Sequence, residues 1–121
     1  MSLANLLLAA LGGALGSVLR VLVTVLVPVG RLPWGTMLIN IAGSFAIGWL
    51  MGRLGGLTQD NARAHMLLVA GLCGGFTTFS AFSWQTLDLF QKNQPGAALA
   101  NVLLSVTLCF AATWLGWRLA R

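Results

Sequence analysis

Four long apolar stretches, separated by short polar turns, constrain this chain more than any other feature of its sequence. Crossing the hydrocarbon core of a bilayer takes about 20 apolar residues in a helix, and each stretch is at least that long. The sequence therefore predicts an all-α membrane protein with four transmembrane helices. The predicted spans run from about Leu3 to Val27, Trp34 to Leu54, His65 to Phe90 and Gly96 to Trp117.

The amino-acid composition supports the same interpretation. Of 121 residues, 58% are hydrophobic and 7% are charged, whereas a soluble domain carries roughly 25% charged residues. Mean hydropathy is +0.88. No hydrophilic block is long enough for a second domain, so we expect residues 1–121 to form a single four-helix transmembrane domain. The first stretch lacks a basic start, and we expect a retained helix there and not a cleaved signal peptide.

The basic residues are scattered, and they are nearly balanced between the two membrane faces. The formal net charge is +5, but no cluster suits a nucleic acid, and we expect contact with lipid headgroups instead. A Lys/Arg excess in cytoplasmic loops normally sets orientation. A near balance predicts insertion in both orientations (dual topology) and an antiparallel homodimer; a weak excess that selects one orientation is an equally good interpretation. One face holds Arg53, Arg63, Arg118 and Arg121, and the other holds Arg31, Lys92 and, if its side chain extends that far, Arg20.

Pairs of small residues four positions apart give a second reason to expect a partner. Helices in lipid associate through small residues that let their backbones approach closely. A homodimer is the simplest way for four short helices to enclose an aqueous path. The pairs are Gly12 with Gly16, Gly13 with Ser17, and Gly48 with Gly52.

The second span carries polar residues at membrane depth. Thr36, Asn40 and Ser44 are four apart and therefore lie on one helical face. A buried amide such as Asn40 needs a hydrogen-bond partner. It either bonds to another helix or lines a pore, where its NH₂ group donates to an anion.

The third span contains residues that form helices poorly. Gly74 and Gly75 are followed by Thr77 and Thr78 near the middle of the span. A break there frees backbone carbonyls, which lipid tolerates only where they find partners or line a cavity. Such carbonyls can bind a hard cation. The alternative is that the paired glycines only permit close packing.

Two aromatic residues follow this segment. Phe79 and Phe82 are three apart and share a helical face. Phenylalanine in a membrane helix is most often lipid-facing or core filler, but its ring has a positive edge that can face an anion. Ser105 gives the fourth span a hydroxyl on a polar face. Arg20 either draws anions into a vestibule or extends to the lipid headgroups.

The sequence lacks the residue groups that catalysis or metal binding by side chains requires. Cys73 and Cys109 stand alone in apolar runs, so neither a disulfide nor a metal site is expected. The one histidine and two separated acids form no acid–base pair, and we expect no enzyme activity.

Three segments together carry a resemblance to a known family. They are residues 12–20 (GGALGSVLR), 35–45 (GTMLINIAGSF) and 74–80 (GGFTTFS). In this order, within four spans, they resemble the Fluc fluoride-channel family of CrcB-type proteins along essentially the whole chain. The resemblance implies an antiparallel dual-topology dimer with two fluoride pores and a structural sodium ion at its centre. It also implies passive export of cytoplasmic fluoride across a bacterial inner membrane.

The resemblance assigns roles residue by residue. Phe79 and Phe82 look like the paired pore phenylalanines, and Asn40 looks like the pore asparagine. Ser105 resembles a pore hydroxyl of the fourth helix, and Thr36 lies on the Asn40 face.

The remaining roles concern a vestibule and a cation. Arg20 looks like the vestibule arginine, and the backbone carbonyls of Gly74 and Thr77 look like the sodium ligands, supplied by both subunits. The chain departs from the family pattern at some positions: Ala81 replaces a common threonine, Val21 a common aromatic residue, Gln85 a common glutamate, and Cys109 an expected hydroxyl.

Two other functions are alternatives for a four-helix membrane chain, and each has a sequence feature against it. A proton-coupled multidrug antiporter needs a carboxylate at the midplane, whereas Asp60 lies in a loop and Asp88 lies near the end of the third span. A non-transporting membrane scaffold has no need of Asn40 or of an interrupted third span.

Overall fold

The computed structural model describes residues 2–121, and all regular structure in that range is helical. Four helical units are long and apolar enough to cross a membrane, as the sequence predicts. The third unit, Ala62–Gln91, consists of two helical segments. The helices are α1 (Leu3–Leu26), α2 (Trp34–Leu54), α3 (residues 62–76), α4 (Phe79–Gln91) and α5 (Pro95–Ala120).

Proline and glycine stand at several of the helix ends. α1 ends two residues before Pro28, since the residue preceding a proline is disfavoured in helical conformation. Gly55 follows α2 with φ of +70°, a left-handed conformation that glycine adopts without a Cβ penalty. Pro95 occupies the first position of α5, where its missing N–H costs nothing.

The helices pack in two close pairs through glycine. α1 packs on α3, where a Cβ on Gly12 or Gly16 would overlap the carbonyl oxygen of Leu67 or Leu72. α2 packs on α5, where a Cβ on Gly48 would overlap the Thr113 carbonyl. Such contacts bring helix backbones together, which is how helices associate in lipid.

These contacts lie inside one chain. The glycine pairs Gly12–Gly16 and Gly48–Gly52 are used by the chain's own helices α3 and α5. They therefore give no evidence for a second copy, contrary to the expectation drawn from their spacing.

The third span changes its geometry twice. Residues His65–Cys73 form a π-helix, a rare wide helix that is often found at functional sites. Gly74 remains helical, and the extended residues are Thr77 (φ −83°, ψ 157°) and Thr78 (φ −151°, ψ 110°). The glycine Gly75 packs against the backbone of Gly13, so it serves close packing.

The α1–α3 contact predicts that a residue larger than glycine at position 16 lowers the stability of the protein. We expect Gly16→Ala to lower the free energy of unfolding by about 1–3 kcal/mol, because the backbones of α1 and α3 must separate to admit a methyl group. The measurement is reversible unfolding in mixed micelles. Gly13→Ala is the matched control, since nothing lies within 4 Å of a Cβ built there. Equal stability of the two variants would contradict the packing described.

Candidate functional site

The side-chain amide of Asn40 holds the extended dipeptide Thr77–Thr78 in place. Asn40 Nδ2 donates to the Thr78 carbonyl at 3.0 Å, and the Thr78 N–H donates to Asn40 Oδ1 at 2.8 Å. Gly43, one turn later on α2, leaves room for the Thr77 methyl group, which a Cβ there would overlap. Asn40 thus links α2 to the third span, and the second hydrogen on its Nδ2 atom is not used in these two hydrogen bonds.

This pairing frees two backbone carbonyls. In a continuous α-helix the Thr78 N–H would donate to the Gly74 carbonyl, but it donates to Asn40 instead. The N–H of Ala81, four residues after Thr77, donates to the Thr78 hydroxyl at 3.2 Å, which caps the start of α4. Gly74 and Thr77 therefore lose the donors that a continuous helix would supply to their carbonyl oxygens.

A cavity of about 530 Å³ opens beside the dipeptide. None of its lining residues carries a charge. Six of the eight residues predicted for the site line this cavity, and α2, α3, α4 and α5 all contribute to its wall. These six are Asn40, Gly74, Thr77, Phe79, Phe82 and Ser105.

Two phenylalanine rings stand together at the start of α4. The ring centroids of Phe79 and Phe82 are 5.4 Å apart, with the planes tilted by 48°. Phe79 is 77% exposed in the single chain, although its helix lies in a membrane-length span. The cavity is therefore open on the side of Phe79.

A series of hydrogen-bonded polar side chains connects α5 to α4 at the Phe82 backbone. Asn101, 1% exposed, donates from Nδ2 to the Thr86 hydroxyl at 2.9 Å, and that hydroxyl donates to the Phe82 carbonyl at 2.8 Å. The Ser105 hydroxyl donates to Asn101 Oδ1 at 3.4 Å. Sequence reasoning missed the role of Thr86, because its partner lies 15 residues away on another helix.

Comparison with known proteins agrees with the motifs. Residues 7–117 match the family described as "CrcB-like protein, Camphor Resistance (CrcB)". The chain belongs to the CrcB-like family. This confirms the resemblance inferred from the three motifs.

Curated relatives extend the similarity over nearly all of this CrcB-like chain, and each is named "Fluoride-specific ion channel FluC". A protein of Methylobacterium radiotolerans is 47% identical over 121 residues, covering 96% of this chain and 84% of the relative. One from Solibacter usitatus is 46% identical, covering 95% and 97%. One from Methylocella silvestris is 45% identical, covering 88% and 85%.

Two predicted site residues of this CrcB-like protein lie outside the cavity. Thr36 is 6% exposed and lines a separate cavity of about 350 Å³. Gln85 lines it too, and its buried Oε1 has no hydrogen-bond donor among the described residues. Arg20 is partly exposed on α1, with Nη2 3.5 Å from the hydroxyl of Ser17, which lies 3.5 Å from the Gly75 carbonyl.

The Asn40–Thr78 pair predicts a stability effect in this CrcB-like chain. We expect Asn40→Ala to lower the free energy of unfolding by about 1–3 kcal/mol, because the N–H and carbonyl of Thr78 lose their partner in a water-poor interior. Unfolding in mixed micelles measures it. Ser44→Ala, which changes another lining residue of the same cavity, is the control. If both variants matched the unsubstituted chain, Asn40 would not hold the dipeptide.

Proposed function

We propose that this CrcB-like protein is a fluoride-selective ion channel that lets cytoplasmic fluoride leave the cell passively. The observation that carries the proposal is the uncharged cavity into which Asn40, Phe79, Phe82 and Ser105 converge. The names of the curated relatives support the choice of ion.

The chemistry of the lining suits a small, strongly hydrated anion. Fluoride enters a narrow path only where donors replace its water. In this proposal the second Nδ2 hydrogen of Asn40 and the ring edges of Phe79 and Phe82 supply them. The Ser105 hydroxyl joins them when it turns away from Asn101 Oδ1, to which it donates over 3.4 Å. Because no lysine or arginine lines the cavity, the ion is not held by a full charge and can leave again.

A second copy completes the path in this proposal. The cavity is open at Phe79, and the Lys/Arg balance suits an antiparallel, dual-topology homodimer. A two-fold axis in the membrane plane then generates two equivalent cavities, hence two pores per dimer. Arg20 would serve the vestibule, and the dimer would reside in a bacterial inner membrane.

A sodium ion fits the freed carbonyls at the dimer interface. The carbonyl oxygens of Gly74 and Thr77 from two copies give four neutral oxygen ligands, which suit a hard cation. Both carbonyls lack the donors of a continuous helix, because the Thr78 N–H bonds to Asn40 and the Ala81 N–H bonds to Thr78. Bound there, sodium would hold the two interrupted spans together.

The competing functions have less support. A proton-coupled antiporter requires a carboxylate in the cavity, but Asp88 pairs with Lys92 at 2.6 Å near the end of α4, and Asp60 is exposed in a loop. No observation favours a non-transporting scaffold or an enzyme.

Fluoride efflux from liposomes tests the proposal. We expect rapid, proton-independent fluoride release and negligible chloride release, read with ion-selective electrodes. In Phe79→Ile and Phe82→Ile the fluoride rate should fall by about tenfold or more while the dimer persists, because the ring edges are lost. Phe90→Ile, on the same helix but outside the cavity, is the matched control. Unchanged flux in both variants would contradict a role for the rings, and no fluoride flux from folded dimer would reject the channel.

Removal of sodium tests the cation site without relying on flux. We expect the dimer to melt at a lower temperature when sodium is replaced by N-methyl-D-glucamine at the same ionic strength, because binding to the folded state stabilises it. Restoring sodium should restore the melting temperature. A melting curve that does not respond to sodium would reject the carbonyl site.

A further inference from the structure

A groove of about 450 Å³ lies between α2 and α5, toward the C-terminal ends of both helices. The helices run in parallel here: Gly48 meets Thr113, and Gly52 meets Ala120. The groove has large apolar walls on both sides, formed by Ile47 and Met51 of α2 and by Phe110, Trp114 and Trp117 of α5.

The groove offers its occupant almost no hydrogen-bonding group. Its one hydroxyl, that of Thr113, donates to the Cys109 carbonyl at 3.0 Å. The glycine Gly48 forms the floor, because its lack of a side chain lets the two backbones touch. Such a surface accepts an apolar chain and excludes a polar peptide or a hydrated ion.

A cationic cluster stands at the end of this groove. Arg53, Arg118 and Arg121 are all exposed and lie within the last turn or just beyond the ends of α2 and α5. The Arg121 guanidinium lies 3.9 Å from the ring centroid of Trp117, which is itself a wall of the groove. Positive charge is therefore continuous with the groove through Arg121. The Arg53 guanidinium lies 5.6 Å from the ring centroid of Trp49, one turn earlier on α2.

These arginines are not neutralised within the chain. The one salt bridge among residues 2–121 joins Lys92 to Asp88 at the opposite end of the molecule. The C-terminal carbonyl of α2, that of Leu54, is bonded by Asn61 Nδ2 at 2.9 Å and does not need Arg53 as a cap. The charges are thus available to a ligand at the level of the lipid headgroups.

We propose that this groove and the Arg53, Arg118 and Arg121 cluster form a binding site for an anionic phospholipid. One acyl chain lies along Met51, Trp114 and Trp117, and the headgroup phosphate is bound by the guanidinium groups, whose planar donors match phosphate oxygens. The site goes beyond ion conduction and does not depend on it.

Charge favours an anionic lipid over a second copy of this chain as the occupant of the groove itself, whereas the proposed antiparallel dimer meets at the cavity beside Phe79. A parallel copy would bring its own arginine cluster to this membrane face. An antiparallel copy would bring the end that carries Arg31 and Lys92, of which one cation remains after the Asp88 salt bridge. Both arrangements place like charges together, whereas an anionic lipid supplies the opposite sign.

Fluorescence quenching by brominated lipids tests the site in reconstituted protein. A variant carrying Trp34→Phe, Trp49→Phe, Trp84→Phe and Trp114→Phe retains Trp117 as its only tryptophan. We expect brominated phosphatidylglycerol to half-quench Trp117 at a mole fraction about tenfold lower than brominated phosphatidylcholine does. A second reporter that retains only Trp84, exposed on α4, should show no preference between the lipids.

Charge removal separates the headgroup site from general lipid contact. Arg53→Gln with Arg118→Gln should reduce the preference at Trp117 to about twofold, while Arg121 keeps its position over the reporter ring. Arg31→Gln with Lys92→Gln removes the same charge from the opposite end and should leave the preference unchanged. Native mass spectrometry of the chain with all five tryptophans, after dilution from mixed micelles, should show retained phosphatidylglycerol with the same dependence on Arg53 and Arg118.

Three results would overturn the proposal. Equal quenching of Trp117 by both lipids would mean that the groove meets lipid without selecting the headgroup. Absence of quenching by either lipid would mean that protein covers the groove. A preference that survives loss of Arg53 and Arg118 would mean that these arginines do not bind the phosphate.

Discussion

The need to satisfy every backbone polar group without water is the constraint on which this structure depends. Thr77 and Thr78 adopt extended backbone within a membrane-length span. The Thr77 N–H still donates to the Cys73 carbonyl at 3.0 Å, but the Thr78 N–H has no acceptor in a helix. The amide of Asn40 supplies one donor and one acceptor in the geometry of a peptide group, and it satisfies both polar groups of Thr78. One side chain on α2 thus makes the local geometry of the third span possible.

The glycine contacts determine where this pair can form. α1 touches α3 and α2 touches α5 through their backbones, so the two helices of each pair are closely spaced. Gly43 then lets Thr77 approach α2 beside Asn40. The cavity lies beside this pair, with Asn40, Gly43, Thr77 and Thr78 among its lining residues.

Charged residues are absent from the lining of the midspan cavity, and arginines are found at the helix ends. The midspan cavity has no charged lining residue and offers only dipoles, hydroxyl groups and ring edges. The arginines Arg53, Arg118 and Arg121 stand at helix ends, where water and headgroups can solvate them. This separation fits the proposed channel, in which the path binds an anion weakly and the arginines at the helix ends meet the lipid headgroups.

The sequence by itself determined the four spans, because span length, hydropathy and the prolines and glycines at helix ends are local properties. It also identified Asn40, Phe79, Phe82 and Ser105 as unusual, since polar and paired aromatic residues stand out in an apolar helix. Only the tertiary structure decided which of them meet. Thr36 has the helical phase of Asn40 but lines a different cavity, and the dipeptide that Asn40 binds is 38 residues away. Helical periodicity states which face a residue occupies, whereas the neighbour that covers this face depends on contacts distant in sequence.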